Sequence, residues 1–243
     1  MALTPFEIFT PVHVLTIVIT LGLAILIPLA VRGRSYETRY TAGVSIAVLI
    51  TYHIMKQTID TPSFGFPWQQ ALPFHMCDLS SIAIAVYLVS RQRIYFIIAY
   101  FWGIGGATMA IFQPDLPYFY PHVAYVPFFV SHGLILLGVF YALITLRERP
   151  VASDVLKIIG ITICVALILY PINLFLGENA NFWYLTAKPQ GLNLMAFFPD
   201  PPFHLVPIVP LVIFVFCLLY LPFGIRDYIA QNRIGVFLKK LRT

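Results

Sequence analysis

The chain has 243 residues, of which 60% are hydrophobic and only 10% are charged, and it carries a net charge of +5. This composition excludes an ordinary soluble fold and indicates a polytopic membrane protein. The three cysteines all fall in or beside apolar runs, which argues against a disulfide framework or a thiolate zinc site.

Seven apolar runs follow one another along the chain. Each is long enough to cross a hydrocarbon core of about 30 Å, and together they leave no room for a separate soluble domain. The first nine residues lack the basic start of a secretory signal, so the first run is interpreted as a retained span. The sequence therefore predicts an all-α, seven-helix membrane protein with one domain over residues 1–243. The predicted spans are 10–31, 41–59, 74–90, 94–113, 124–146, 155–176 and 204–223.

Lysine and arginine residues determine the predicted orientation. With seven spans, 13 of the 15 basic residues fall on one side of the membrane, and only Lys56 and Lys188 fall on the other. Because basic loops stay in the cytoplasm, we expect the N-terminus outside and the C-terminus in the cytoplasm. The predicted location is the cell membrane, as a multi-pass protein of a bacterial plasma membrane. The basic residues are interpreted as topology signals and anchors for anionic lipids, not as a nucleic-acid surface.

With this orientation, the polar residues of the spans gather toward the outer side. All six histidines fall in or beside the outer half of the membrane. Since ionisable groups are costly in a bilayer and usually face a shared cavity, the pattern predicts a polar pocket that opens outward. The residues on that side are His13, His53, His75, His122, His132, His204, Lys56, Gln57, Asp60, Cys77, Asp78, Thr108, Gln113, Tyr170 and Asn173.

Residues 60–74 are too apolar for a solvated loop and too rich in proline and glycine for a helix. We expect this segment to dip back into the outer leaflet, where non-helical backbone is tolerated if it lines a cavity. It leads directly into Pro73-Phe74-His75-Met76-Cys77-Asp78-Leu79-Ser80-Ser81, where a histidine, a thiol and a carboxylate open an apolar segment.

The start of the third predicted helix carries the densest chemistry of the chain. Pro73 suits a first helical turn, so Cys77 and Asp78 are expected beside unpaired N–H groups. The helix dipole favours an anion there, and a thiol ionises more easily. His75 and Asp78 are three residues apart and share a helix face, whereas His75 and Cys77 point in different directions. Asp78 is thus a cap or a partner of His75, and a base for Cys77 must come from another helix.

His132 is the best candidate for that base. It is the most deeply placed histidine of the fifth predicted helix and has no adjacent charge partner. It lies about 10 Å below the start of that helix, so contact with Cys77 requires the third helix to begin below the membrane surface. The other two cysteines, Cys164 and Cys217, lie among Ile, Val, Phe and Leu and are predicted to be apolar fillers.

Five short motifs follow one another along the chain. They are His75-Met76-Cys77-Asp78-Leu79-Ser80, Tyr100-Phe101-Trp102-Gly103, Gln113-Pro114-Asp115-Leu116, Phe129-Val130-Ser131-His132-Gly133, and Tyr184-Leu185 with Lys188-Pro189. In these residues the chain resembles the YwaF-like integral membrane proteins, a family that includes the vertebrate transmembrane protein 164. The resemblance covers roughly residues 10–223. One departure is that the family's Asn-Tyr-x-Tyr-Leu reads Asn181-Phe182-Trp183-Tyr184-Leu185 here, which removes one phenol.

The vertebrate relative is described as a cysteine-dependent acyltransferase acting on lysophospholipids. The resemblance therefore implies acyl transfer between membrane lipids, with Cys77 as the nucleophile and His132 as the base. A thiolate would attack a donor ester while the histidine relays the proton. His75 and Asp78 complete the predicted catalytic set, and the two outer lysines are candidates to hold a lipid phosphate. The predicted substrate-binding residues are His53, Lys56, Gln113, Asn173, Tyr184 and Lys188.

Two other functions stay open at this point. A metal-dependent lipid hydrolase would need a site built from His75, Asp78, His53 and His132. A carrier would use the outward pocket for a small molecule or lipid without chemistry. A retinal-type receptor is set aside because the last predicted span contains no lysine for a Schiff base. The prediction assigns membrane phospholipids as substrate or ligand, and it assigns no metal, no cofactor and no nucleic acid.

Overall fold

The computed structural model describes residues 5–63, 65–116, 118–189 and 194–240. Within these ranges every regular element is helical, and one isolated bridge pairs Pro5 with Tyr118. The α-helices are α1 Pro11–Arg32, α2 Tyr36–Ser63, α3 Met76–Ser90, α4 Arg93–Ile98, α5 Ile104–Phe112, α6 Tyr125–Phe140, α7 Ala152–Leu176 and α8 Leu205–Lys240. Shorter segments are the π-turns Ala99–Gly103 and Tyr141–Thr145 and the 3₁₀ turns Trp68–Ala71, Phe182–Tyr184 and Leu194–Phe197.

Six of the helical segments in the described ranges are long and apolar enough to cross a membrane. The predicted all-helical, multi-pass architecture is therefore confirmed. The remaining helix, α2, has 28 residues but is more polar than the other six, because it carries residues such as His53, Lys56 and Asp60. The six segments are Pro11–Arg32, Trp68–Ser90, Arg93–Phe112, Tyr125–Thr145, Ala152–Leu176 and Leu205–Gln231.

Several helices extend beyond the apolar runs that predicted them. Helix α2 is longer than 41–59 at both ends, and α8 continues to Lys240 instead of stopping near 223. Hydropathy marks where a chain leaves the hydrocarbon, whereas a helix stops only where its backbone hydrogen bonds stop. Helix α7 also runs through Pro171 without interruption. Neighbouring groups in a membrane bundle commonly accommodate one missing backbone hydrogen bond.

The centre of the bundle is formed where α2, α3 and α6 meet. Gly138 of α6 allows this approach, because a Cβ atom there would lie 2.6 Å from Ile84 Cγ1 of α3 and 3.5 Å from Ile50 Cδ1 of α2. Ile84 and Ile50 are almost completely buried. A side chain at Gly138 would force these three helices apart, so the small residue determines their spacing.

Hydrogen bonds at one end of the bundle show how the helices are directed. The π-turn Tyr141–Thr145, which follows α6, bonds to the end of α1 through Thr145 and the Pro28 carbonyl. It also bonds to the start of α2 through the Tyr141 hydroxyl and the Arg39 carbonyl. We call this end the basic end: it contains the ends of α1, α3 and α6 and the starts of α2, α4 and α7. The opposite end, where α3 and α6 begin and α5 finishes, is called the site end.

A buried carboxylate holds the basic end together. Asp154, in the first turn of α7, is fully buried and accepts hydrogen bonds from Arg93 Nη2 at 2.5 Å and from the Val151 N–H at 2.9 Å. Arg93 opens α4, so this ion pair joins α4 to α7. A more exposed pair, Arg149 with Asp227, links the same region to α8 at 2.5 Å.

Candidate functional site

The first turn of α3 forms the base of the candidate site. Pro73 lies before the helix rather than in its first turn, and α3 begins at Met76 with His75 as its N-cap. Asp78 Oδ2 accepts the His75 backbone N–H at 3.2 Å, so Asp78 caps the helix and bonds the backbone of His75 instead of its imidazole ring. The first described helical bond, from the Leu79 N–H, goes to the His75 carbonyl at 3.0 Å. The preceding N–H groups of this turn are therefore left without an acceptor inside the helix.

Cys77 is the second residue of α3 and faces α5. Its Sγ atom lies 3.5 Å from the point where a Cβ atom of Gly106 would be, so the glycine leaves space directly beside the thiol. Cys77 is half-buried, whereas Cys164 and Cys217 are exposed on the outside of the bundle. The structure thus separates one inward-facing cysteine from two that face the membrane side.

Three helices meet one turn below Cys77. A Cβ atom on Gly103, at the junction of α4 and α5, would lie 2.8 Å from Ile135 Cγ2 of α6 and 3.7 Å from Ser80 Cβ of α3. Further toward the basic end, α3 meets α6 again through Ile84 and Gly138. Because residue numbers rise together along α3 and α6 between these two contacts, the two helices run in the same direction.

This packing places Cys77 and His132 in the same layer of the bundle. Cys77 precedes Ser80 by three residues, and His132 precedes Ile135 by three residues. Each residue therefore lies about 4.5 Å, or nearly one helical turn, toward the site end from the contact at Gly103. The cysteine and the histidine that the sequence selected from different helices are at equal depth.

The hydrogen bond of His132 determines which ring nitrogen carries the proton. His132 Nδ1 lies 2.7 Å from the Phe128 carbonyl oxygen, which can only accept a hydrogen bond. Nδ1 is therefore the protonated nitrogen of the neutral ring, and Nε2 keeps its lone pair. In the described part of the chain Nε2 makes no hydrogen bond, and the side chain is 8% exposed. His132 is thus a buried imidazole whose basic nitrogen is unoccupied.

His53, a predicted substrate-binding residue, lies beside His132 rather than at the mouth of the site. Its Nε2–H donates to the Pro127 carbonyl at 3.1 Å. His132 donates to the carbonyl of the next residue of α6, Phe128. The two imidazoles from α2 and α6 are therefore anchored on consecutive residues. His53 Nδ1, like His132 Nε2, keeps its lone pair in the neutral ring.

A loop between α7 and α8 covers the first turn of α3; we call residues 181–185 the cap loop. Asn173 of α7 holds it, donating to the Phe182 carbonyl at 3.0 Å and accepting the Phe182 N–H at 2.9 Å. The Phe182 ring packs edge-on against the ring of His75, with 5.0 Å between centroids. Trp183 Nε1 donates to the Phe74 carbonyl at 3.0 Å. The cap loop is therefore bonded to both α7 and the segment that leads into α3.

Two consecutive residues of the cap loop have left-handed backbone conformations. Trp183 has a φ of 60° and Tyr184 a φ of 54°. Bulky residues rarely adopt this region, and such strain persists only where surrounding contacts enforce it. His204 supplies one of these contacts, because its Nε2–H donates to the Tyr184 carbonyl at 2.8 Å. His204 is fully buried and thus helps to position the loop.

Tyr184 and Asp115 form the rim of the site. The Tyr184 hydroxyl donates to Asp115 Oδ2 at 3.0 Å. Burial and the neighbouring Asp115 carboxylate raise the pKa of the Tyr184 phenol, and the charge of a Cys77 thiolate would raise it further. The phenol therefore stays protonated and can donate. Asp115 also interacts electrostatically with His75. Asp115 belongs to one of the sequence motifs, but residue type and spacing predicted no role in the site for Asp115 or for His204.

The remaining predicted substrate residues are already bonded within the protein. Lys56 pairs with Asp60 one turn further along α2. Lys188 Nζ lies 2.9 Å from Asp200 Oδ1 and 3.2 Å from the Phe198 carbonyl. Both amide atoms of Asn173 are used by the cap loop, and Gln113, at the end of α5, also has a partner. Each of these side chains needs to exchange a partner before it can bind a ligand.

Two further histidines have structural roles. His13 accepts the Phe9 N–H at Nδ1 and donates from Nε2 to the Ile111 carbonyl, each at 2.9 Å. His122 accepts the Ala124 N–H at 3.3 Å. Across residues 5–63, 65–116, 118–189 and 194–240, no three His, Cys, Asp or Glu side chains are grouped closely enough to hold a metal ion.

The fold and this arrangement define a class: multi-pass helical membrane proteins with a polar site at one end of the bundle. The chain matches the TMEM164 family over residues 8–220 and belongs to that family. This confirms the resemblance seen in the sequence motifs. A protein of Treponema pallidum (strain Nichols), described only as uncharacterized, is 29% identical over 223 residues, which cover 88% of this chain and 87% of the relative. No solved structure matches the chain.

Proposed function

We propose that this protein is a membrane lipid acyltransferase that carries a fatty acyl group on Cys77 and transfers it to a lysophospholipid or a similar acceptor. The observation that carries the proposal is the shared depth of the inward-facing Cys77 thiol and the unoccupied Nε2 of His132. Acyl transfer through a covalent intermediate requires a nucleophile and a base within hydrogen-bond reach, and a shared depth in the bundle is the part of this requirement that the helix contacts support.

The reaction proceeds in two half-reactions. His132 Nε2 takes the proton of the Cys77 thiol as Sγ attacks the carbonyl carbon of the donor ester. The C–O bond then breaks, the alcohol oxygen takes the proton from Nε2, and the acyl group remains as a thioester. In the second half the acceptor hydroxyl gives its proton to Nε2 and attacks the thioester carbon. The thiolate leaves and recovers the proton, so the enzyme returns to its starting state.

The start of α3 supplies electrostatic support for both half-reactions. The N–H groups of Met76 and Cys77 have no acceptor inside α3, and they lie at the positive end of the helix dipole. Donors fixed in this way stabilise the oxyanion that forms on the acyl carbonyl oxygen. Asp78 holds this turn in shape, and His75 lies between the turn and the cap loop.

Substrate binding is assigned to the rim. Tyr184 and Asp115 lie beside Cys77, and Gln113 ends the helix that faces the thiol. Asn173 contributes to substrate binding indirectly, because it holds the cap loop in place. His53 lies next to the base, His132, and borders the site there. The lysines at this end, Lys56 and Lys188, contact a lipid phosphate by exchanging their carboxylate partners Asp60 and Asp200, because ion pairs near the surface are weak.

The test is intact-protein mass spectrometry after incubation with a phospholipid that carries an isotopically labelled acyl chain. Wild type is expected to gain one labelled acyl group that hydroxylamine removes, since a thioester is cleaved readily. Cys77→Ala is expected to gain none, whereas Cys164→Ala and Cys217→Ala, which change the two exposed cysteines, keep the adduct. An adduct that persists in Cys77→Ala overturns the proposal. If wild type binds the lipid but forms no adduct, the result favours the alternative function of a carrier that binds lipid without chemistry.

We further propose seven spans, with α2 as the seventh, and with the site end outside and the basic end in the cytoplasm of a cell membrane. The concentration of basic side chains at one end supports this orientation. It places Cys77 near the outer leaflet, and phospholipids of that leaflet are then the partners of the site.

The orientation predicts which positions a membrane-impermeant thiol reagent labels in intact cells. In a chain whose three cysteines are replaced by alanine, Glu178→Cys at the site end should be labelled. Ser35→Cys at the basic end should be labelled only after the cells are opened. Both positions are exposed in the structure, so a difference in labelling reports on which side of the membrane each position lies. The reverse pattern contradicts the orientation.

A further inference from the structure

At the basic end, two arginines from different helices converge on one tyrosine. The Tyr141 hydroxyl donates to the backbone carbonyl of Arg39 in α2. Arg91, which directly follows the last residue of α3, also interacts electrostatically with Tyr141. A Cβ atom on Gly43 would lie 3.3 Å from Tyr141 Cε1 and 3.5 Å from Arg91 Nη2, so the glycine leaves space for the guanidinium. Both arginine residues therefore lie close to one phenol.

Neither of these arginines has an ion-pair partner in the part of the chain that the structure describes, whereas the neighbouring Arg93 and Arg149 are both paired with carboxylates. Arg39 Nε is buried and makes no hydrogen bond. The Arg91 guanidinium lies over the Tyr87 ring, 5.8 Å from its centroid. A buried donor without an acceptor is unusual in a native protein and indicates a missing partner.

Nearby acidic groups are already engaged. Glu148 lies beside Tyr87 and pairs with Arg93 at 3.3 Å. Asp154 is held by Arg93 as well. The nearby carboxylates are therefore committed to Arg93, and Arg91 is left with the Tyr87 phenol as a neutral partner. The region around Arg39 and Arg91 keeps an excess of positive charge that no described carboxylate balances.

We propose that Arg39 and Arg91 form a binding site for a phosphate group, with the headgroup of an anionic phospholipid as its source. Guanidinium groups match phosphate oxygens in geometry and charge, and often bind them through two parallel hydrogen bonds. Both arginines lie where helices end, the level at which lipid headgroups meet a membrane protein, and the exposed Tyr36 and Tyr40 lie near the same start of α2.

This site is separate from the acyl-transfer site and does not depend on it. Cys77 lies in the first turn of α3 and Arg91 follows its last residue, and a helix of 15 residues places them about 20 Å apart along the bundle. A lipid held by its phosphate at the basic end would bridge α2, α3 and the end of α6, and so stabilise the helices that carry the other site.

Native mass spectrometry of the full chain in detergent measures the binding directly. The probes are phosphatidylglycerol, phosphatidic acid, phosphatidylcholine and inorganic phosphate, each titrated separately. Wild type should prefer the two anionic lipids, and Arg39→Gln and Arg91→Gln should each weaken their binding by about tenfold or more. Arg34→Gln is the matched control, since it removes an exposed arginine at the same end. It should change the affinity by less than about twofold.

The outcomes separate the sources of the phosphate. Anionic-lipid binding that depends on both arginines, without binding of inorganic phosphate, supports the lipid headgroup. Equal arginine-dependent binding of inorganic phosphate supports the phosphate site but overturns the lipid as its source. Equal weakening by Arg34→Gln overturns the site and leaves only diffuse attraction to the membrane surface.

Lysine variants keep the test valid if a glutamine variant fails to fold. Arg39→Lys and Arg91→Lys preserve the charge and remove the planar pair of donors, so a site built on guanidinium geometry should lose about threefold or more in affinity. Unchanged binding in both lysine variants would overturn the proposed geometry. Lipid-dependent thermal stabilisation, measured on the same samples, provides a second readout that should fall in parallel.

Discussion

Replacing His132 by alanine is expected to lower the rate of acyl transfer by about 10²–10⁴-fold, the usual contribution of a positioned general base. The reason is the free lone pair on Nε2, which the bond from Nδ1 to the Phe128 carbonyl leaves available at the depth of Cys77. Without it, the thiol loses the base that lies at its own depth in the bundle. The measurement is the initial rate of labelled acyl transfer in nanodiscs.

Two comparisons distinguish a base from a structural histidine. Added imidazole should partly restore transfer in His132→Ala, because the cavity left by the side chain can hold a small base; a structural defect would not respond. His122→Ala, which removes a histidine that bonds only a local backbone N–H, should keep a rate near wild type. Transfer at the wild-type rate in His132→Ala would assign the base to another residue.

Replacing Asp154 by alanine is expected to lower the free energy of unfolding by about 2–3 kcal/mol, because hydrogen bonds to a charged group are stronger than neutral ones. The change leaves Arg93 without its buried partner and the Val151 N–H without its acceptor. Arg93 is 41% exposed, so water recovers part of the loss. Equilibrium unfolding of the purified chain in mixed micelles measures the difference.

The matched control is Asp227→Ala, which removes the carboxylate of an ion pair that is partly exposed on both sides. A pair of this kind should contribute less than about 1 kcal/mol. A double-mutant cycle with Arg93→Ala then isolates the coupling between Arg93 and Asp154. Equal losses from the two aspartate variants would contradict a special role for the buried carboxylate.

Much of the fold could be predicted from the sequence because membrane spans are local features. An apolar run of about 20 residues forms a helix across a bilayer whatever its neighbours are, since the backbone has no other hydrogen-bond partners there. The ends were less predictable. Helix α8 continues past its apolar run into a polar stretch that includes Arg226, Asp227 and Gln231, and α2 begins before its run with polar residues such as Glu37 and Arg39. Helical hydrogen bonding does not need an apolar side chain, so hydropathy does not mark these ends. Pro171 stays within α7 for the related reason that the surrounding bundle tolerates one missing bond.

The candidate site was only partly predictable. The short motif around Cys77 and the isolated His132 could be predicted, because their polar residue types are conspicuous within apolar segments. The partners of Lys188 and Asn173 could not be predicted, because each lies in a loop whose path depends on how the chain folds back on the bundle. Lys56 and Asp60 are four residues apart in α2, so their pairing follows from local helix spacing. Whether Cys77 and His132 act in catalysis stays a prediction.

The amino-acid sequence by itself determined the membrane class, the order of the helices, the family and the position of Cys77 at a helix start. Each depends on composition or on residues close together in the chain. Only the tertiary structure decided that His132 lies at the depth of Cys77, that its Nε2 is unoccupied, and that the cap loop covers the site. These features depend on how glycine-lined helix surfaces fit together, and that fit is a non-local property of side-chain shape.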